Sequence, residues 1–188
     1  SLFINKEALE KGAVRPKDIT DQKVKKVGIL GAGMMGAGIS YVSAMAGIEV
    51  ILLDMKKEDA EKGKTHAENI LNVGIKRKKI TEDKKSTVLN LINPTIDFND
   101  LNGCDLIVEA VFEDPAIKAE VTKKAESVVD KDCIFATNTS TLPITSLASA
   151  SVRPEQFIGI HFFSPVDKML LVEIIKGNAT GQKAVAKA

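Results

Sequence analysis

The sequence predicts an α/β fold: a doubly wound, mostly parallel sheet with helices on both faces. Three observations predict it. Short apolar runs alternate with helical segments along most of the chain. The first of these runs leads straight into a glycine-rich turn and then a helix. Polar residues gather just after the later apolar runs, where such a sheet opens to its ligands.

The elements follow in order. Residues 1–22 differ from the rest: Leu2, Phe3, Leu9 and Val14 are apolar among charged residues, and Arg15-Pro16 breaks any helix. A short helix and a linker are expected there, with 23–188 as the domain proper. Val24–Leu30 reads as the first strand, and Met34–Ala46 as a helix stopped by Gly47. Glu49–Leu53 is the second strand, closing on Asp54. The stretch 55–91 has room for two helices where a crossover needs one. Lys56–Lys79 is strongly charged, with Ile70, Leu71, Val73 and Ile75 as a thin apolar stripe, and Thr81-Glu82-Asp83 starts a second helix that Ser86–Leu91 continues. Pro94–Phe98 is a short strand and Asp105–Ala110 a longer one. Pro115–Val129 is a helix with proline in its first turn. Cys133–Thr137, Phe157–His161 and Leu170–Ile175 are strands, and Gly181–Ala188 opens a last helix.

Composition sets the class. The 188 residues suffice for one full-sized domain. An apolar share of 44% is ordinary for a water-soluble globular chain. A net charge of +1 argues against an electrostatic nucleic-acid binder. No apolar run is long enough to span a membrane, and the N-terminal residues turn polar after Ile4, unlike a signal peptide. Cys104 and Cys133 lie in or beside strand-like runs, so they read as reduced core thiols rather than a disulfide or a metal site.

Gly31, Gly33 and Gly36 have the spacing G-x-G-x-x-G after a strand and at the start of a helix. In that setting Gly31 makes the tight turn, Gly33 lets backbone approach a pyrophosphate, and Gly36 lets helix and strand close up. The backbone N–H groups of Met34 and Met35 open the helix, whose positive end favours phosphate. Asp54 stands 23 residues past Gly31. A carboxylate there accepts hydrogen bonds from adenosine ribose hydroxyls and repels a 2′-phosphate, which favours NAD over NADP. Its other reading is the N-cap of the next helix.

The remaining candidates sit at strand ends: Glu113 and Lys118 after Asp105–Ala110, Asn138 and Ser140 after Cys133–Thr137, and His161 after Phe157–Ile160. His161 is either a histidine satisfied by backbone or a proton-transfer group. A neighbouring carboxylate would decide for the second, by fixing the imidazole tautomer and stabilising the imidazolium. Glu173 is the candidate. It lies inside the apolar run Leu170–Ile175, where an unpaired buried carboxylate is costly. A chain reversal at Pro165 would bring the two together. The basic run Lys76–Lys79 is either a solvated helix face or a phosphate contact.

Together the glycine turn, Val-Glu-Ala-Val-Phe-Glu, Asn-Thr-Ser-Thr, His-Phe-Phe-Ser-Pro-Val and Leu-Val-Glu-Ile-Ile resemble the L-3-hydroxyacyl-CoA dehydrogenases of fatty-acid β-oxidation, from about Lys23 onward. The resemblance implies a Rossmann-type fold that uses NAD to oxidise L-3-hydroxyacyl-CoA to 3-oxoacyl-CoA. It implies His161 as general base, Glu173 as its paired carboxylate, and Ser140 as a hydrogen-bond partner of the substrate oxygen. It implies cofactor contacts from the glycine turn, Asp54, Glu113, Lys118 and Asn138, and CoA contact from the helical excursion, Lys78 included. Residues 1–22 resemble the linker of multifunctional β-oxidation enzymes, which carry an enoyl-CoA hydratase domain upstream and work with a thiolase subunit. Such proteins occupy a bacterial cytoplasm, or a mitochondrial or peroxisomal matrix. Ser164 and Asp167 replace an Asn and a Pro common in single-function members, and this favours the multifunctional branch.

The family's C-terminal helical domain, which closes the site, is absent, so the chain alone is expected to bind NAD but turn over poorly. Two rival readings remain. Another β-hydroxyacid dehydrogenase of this fold would use a later lysine as its base. A binding module without catalysis would not need His161 at all.

Overall fold

The computed structural model describes residues 23–169 and 171–188, together with Pro16 and Ile19. The short helix and linker expected over 1–22 lie outside the described residues, save at those two positions. Among the described residues no helix is long and apolar enough to cross a membrane.

Seven strands form one sheet: β1 (Lys26–Leu30), β2 (Glu49–Leu53), β3 (Ile92–Thr95), β4 (Leu106–Glu109), β5 (Ile134–Thr137), β6 (Phe157–Phe162) and β7 (Val172–Ile175). Their order is β3-β2-β1-β4-β5-β6-β7. Every pairing is parallel except the last, where β7 runs antiparallel to β6. The chain steps outward from β1 to β2 and β3, then returns to β4 on its other side. The direction of winding therefore reverses between β1 and β4, which opens a crevice beyond their carboxyl ends.

Helices α1 (Met34–Met45), α2 (Lys57–Lys76), α3 (Glu82–Asn90), α4 (Pro115–Glu126), α5 (Ile144–Ala148) and α6 (Gln182–Lys187) cover the sheet. Alternate residues of each strand feed opposite faces. Leu30, Leu53, Ile107, Phe135 and Phe157 pack with Val121, Ala125 and Leu147 on one side. Ile29, Leu52 and Val108 pack with Ile39, Ala67 and Leu71 on the other. Central strands buried on both faces read as continuous apolar runs, which is why they are easy to find in the sequence.

Three expectations need correction. The short strand expected at Pro94–Phe98 lies at Ile92–Thr95, followed by a 3-10 turn over Phe98–Leu101 that Asp97 caps. Pro94 can sit inside a strand because β3 is an edge of the sheet. Of the apolar stripe expected in the helical excursion, only Leu71 is fully buried. The buried face of α2 is Ala60, Gly63, Ala67 and Leu71, while Val73 is exposed. The face is made of small residues because α2 lies close: a Cβ at Gly63 would stand 2.8 Å from Leu52 Cδ2 and 3.0 Å from Ala32. Helix α5 was absent from the expected elements; at five residues it is too short to show a helical period.

The two excursion helices form a hairpin. The Thr81 hydroxyl caps α3 by accepting from Lys84 N, and Lys85 of α3 reaches Glu68 of α2 at 2.9 Å. Lys78 is exposed on the connection, with a φ of 56°.

Candidate active site

The glycine turn crosses from β1 to α1 at the switch point. Gly31 has a φ of 94°, and a Cβ there would meet the Ala110 carbonyl oxygen at 2.7 Å. A Cβ on Gly36 would lie 1.8 Å from the Gly31 carbonyl oxygen, so no larger residue fits. Around Gly33 nothing lies within 4 Å of a Cβ position, so its approach side is open. No side chain caps the N-terminus of α1, and no acidic residue stands in its first turn. Free amides, an open backbone and an unopposed helix dipole fit an anionic phosphate.

Asp54 follows β2 and faces the same turn. Its Oδ2 accepts from Ala32 N at 2.7 Å, and its Oδ1 accepts from Met55 N at 2.7 Å. The residue at the N-cap position of α2 is Lys56, without a side-chain bond, so Asp54 does not cap that helix. Instead it braces the turn, with its carboxylate at the end of β2. Met55 and Phe112, at the ends of β2 and β4, are large apolar side chains left 75% and 83% exposed.

A second hollow of about 310 Å³ lies beyond the ends of β4, β5 and β6. Met35, Glu113, Asn138, Ser140, His161 and Phe163 are among its walls. Five residues proposed from sequence therefore converge there. His161 Nδ1 lies 2.9 Å from Glu173 Oε2. The contact is a direct cross-strand pair, since β6 and β7 set His161 opposite Glu173. An ionised carboxylate only accepts, so in the neutral imidazole Nδ1 carries the proton and Nε2 keeps its lone pair. Phe163 supports the imidazole, with ring centroids 4.6 Å apart.

Burial of Glu173 was the premise of its assignment, and here the expectation fails. Its side chain is 52% exposed. Strand β7 is the sheet edge, and all four of its residues are exposed. The carboxylate the burial argument describes is Glu109, which the sequence reading passed over. It is 1% exposed and pairs with Lys118 Nζ at 2.7 Å. The signal was present: a glutamate at the end of the apolar run Leu106–Glu109, with a lysine nine residues on.

Lys118 is 2% exposed, so its ammonium is sealed under the hollow rather than open to a ligand. It reaches Glu113 Oε2 at 3.2 Å. Glu113 Oε1 accepts from the Thr139 hydroxyl, from Ser140 N at 3.0 Å and from Thr141 N at 3.2 Å. Partial burial raises the Glu113 pKa, but the Thr139 bond, the Lys118 charge and the two amides outweigh it and hold it down at about 2. Asn138 Oδ1 accepts from Phe162 N at 2.9 Å, which ties the loop after β5 to the residue next to His161.

A larger cleft of about 620 Å³ separates the helical hairpin from the turn after β6. Its walls include Tyr41, Ile70, Arg77, Lys79, Val166 and Lys168. Lys78 is not among them; Arg77 and Lys79, on either side of it, are.

Residues 26–188 match the family model described as 3-hydroxyacyl-CoA dehydrogenase, NAD binding domain. The chain belongs to this family. The match takes in every strand, both hollows and the glycine turn of this NAD-binding domain. Fatty acid oxidation complex subunit alpha of Pseudomonas paraeruginosa is 40% identical over 185 residues, which is 98% of this chain and 26% of that protein. The chain thus spans about a quarter of the length of the curated relatives it matches. Among solved structures, (S)-3-hydroxybutyryl-CoA dehydrogenase from Ralstonia eutropha superposes with a TM-score of 0.82 at 35% identity, covering 88% of this chain and 62% of that one. The dehydrogenase part of a multifunctional enzyme from C. elegans gives 0.78 at 33% identity, covering 91% and 40%. The NAD-binding domain is therefore recognisable both in a 3-hydroxybutyryl-CoA dehydrogenase and in the dehydrogenase part of a multifunctional enzyme.

Proposed function

We propose that the full-length protein oxidises L-3-hydroxyacyl-CoA to 3-oxoacyl-CoA in fatty-acid β-oxidation. The observation that carries this reading is the His161–Glu173 pair, 2.9 Å apart, on the wall that Ser140 shares. Glu173 keeps the proton on Nδ1, so Nε2 accepts the proton of the 3-hydroxyl. As the imidazolium forms, Glu173 stabilises it across the strand pair. The Ser140 hydroxyl bonds the same substrate oxygen and holds it in line. In the reverse direction His161 is the acid.

NAD⁺, when bound, supplies the hydride acceptor. Met34 and Met35 offer uncapped amides to its phosphates, and Asp54 takes the adenosine ribose hydroxyls. Met55 and Phe112 cover the adenine with apolar surface. Asn138 and Glu113 border the nicotinamide side. Arg77, Lys79 and Lys168 give the larger cleft a basic wall suited to the phosphates of CoA.

The relatives' names, a complex subunit alpha and the dehydrogenase part of a multifunctional enzyme, support further domains or subunits beside this one. The motif resemblance suggests a hydratase domain upstream, a helical domain that closes the site, and a thiolase subunit as partner. The fatty acid oxidation complex relatives are bacterial, and a bacterial cytoplasm is the site of action this reading proposes.

The test is His161→Gln in the full-length protein, assayed by NADH formation from 3-hydroxybutyryl-CoA. The expected loss in kcat is about 10²- to 10⁴-fold, with NAD affinity unchanged. Retention of wild-type kcat would reject the reading in favour of a module that only binds the dinucleotide.

A further inference from the structure

Strand β4 ends on a buried carboxylate that the proposed chemistry leaves without a task. Both oxygens of Glu109 are engaged. Oε1 accepts from Lys118 Nζ at 2.7 Å and from Val111 N at 2.9 Å, and Oε2 accepts from the Thr137 hydroxyl at 2.7 Å. A buried ion pair of this kind is weak evidence for a stabilising role, since well-packed apolar residues of similar volume generally do as well. Its connections are more telling.

The pair reaches the active-site loop by two routes. Thr137, held by Oε2, is the last residue of β5 and the root of that loop. Lys118, held by Oε1, also grips Glu113 Oε2 at 3.2 Å, and Glu113 Oε1 gathers the Thr139 hydroxyl and the amides of Ser140 and Thr141. Glu109 therefore holds the loop at its root directly and at its tip through Lys118 and Glu113. Between root and tip, Asn138 Oδ1 accepts a hydrogen bond from the backbone N of Phe162, the residue next to His161. One carboxylate in β4 thereby sets both sides of the hollow.

We propose that Glu109 is a positioning residue of the dehydrogenase site, fixing the 138–141 loop so that Ser140 and His161 meet the same substrate oxygen. The proposal rests on the roles given to Ser140 and His161 above. It gives the buried charge pair a purpose that an apolar pair could not serve. Lys118 must be charged to hold Glu113, and Glu109 must be charged for Lys118 to be tolerated there.

The experiment uses the full-length protein with 3-hydroxybutyryl-CoA and NAD⁺. Glu109→Gln keeps the shape of the side chain but removes its charge. The double variant Glu109→Gln/Lys118→Met removes both charges, so neither is left unpaired. Each is made alone and in a Ser140→Ala background. A positioning role predicts a kcat loss of about 10- to 100-fold with little change in the KM for NAD⁺. It also predicts that the same substitutions cost several-fold less once Ser140 is Ala than they do alone, because coupled residues do not add.

A kcat within about twofold of wild type, or a loss that multiplies with that of Ser140→Ala, overturns the proposal. If Glu109→Gln alone does not fold, the double variant decides. A double variant that also fails to fold marks the pair as structural and overturns the proposal too. Should Ser140→Ala itself leave kcat unchanged, the role of Ser140 falls and this proposal with it. A normal Ser140→Ala loss beside a silent Glu109 sinks the positioning alone.

Discussion

Gly33 and Gly36 stand three residues apart in one turn, and adding a single methyl to each should have opposite effects. At Gly36 the new Cβ would lie 1.8 Å from the Gly31 carbonyl oxygen and 2.9 Å from its carbonyl carbon. Both are backbone atoms, so β1 and α1 must move apart. Overpacking of this kind costs about 1–3 kcal/mol. For a domain of this size that lowers Tm by roughly 3–10 °C. At Gly33 the backbone is extended, with φ −64° and ψ −171°, and a Cβ would have nothing within 4 Å. Alanine there leaves the unliganded fold unstrained and restricts the unfolded chain, so stability should hold or rise by up to about 1 kcal/mol. The cost appears only with cofactor, because the methyl occupies the space through which the phosphates approach the α1 amides. Thermal unfolding of the full-length protein without NAD, followed by NAD titration, separates the two. Gly36→Ala should lose Tm and affinity together; Gly33→Ala should lose affinity alone, by about 10-fold or more. A Gly33→Ala variant that binds NAD as wild type does would mean that the phosphates do not lie on this turn.

Three more outcomes follow from the site. Glu113 lies well below its ordinary value of 4.5, at about 2, so its ionised form stabilises the fold above pH 4.5, and that contribution is lost as pH falls towards 2. The fall is equivalent to about 3 kcal/mol, which screening at a side chain one-third in solvent reduces to about 1–2, and Glu113→Gln should flatten the acid limb of a stability–pH curve by that amount. Burial pushes the Cys104 and Cys133 thiols up to about 12, so neither should react with a thiol reagent at pH 8 until the protein unfolds; rapid labelling of the native state would contradict this. Phe112→Ala should weaken NAD binding by about 5- to 30-fold with Tm unchanged, because an 83% exposed ring contributes little to the core, and calorimetric titration would show it.

The sheet was legible because its strands are short, apolar and separated by clear turn signals, and because a glycine turn with an acidic residue at the next strand end has few other uses. What failed was local and had physical causes. A proline sits inside β3 only because that strand is an edge, and position in a sheet is not written in the strand itself. The buried face of α2 is alanine and glycine with Leu71 alone among the large residues, so an expectation built on large apolar residues kept Leu71 and missed the small ones. The two strand carboxylates show the limit most clearly. Glu109 and Glu173 have the same sequence signature, an acid within an apolar run, and the same argument about desolvation applies to both. One lies in the interior of the sheet with a lysine sealed over it. The other lies on the outer strand, half in water, against a histidine. Glu173 is not buried, yet His161 stands opposite it through antiparallel register. Glu109, where the premise holds, is the residue whose charge needs explaining. Desolvation cost shows that a carboxylate in a strand must have a partner. Which partner it has, and whether water is there already, depends on strand order, a property of the whole sheet.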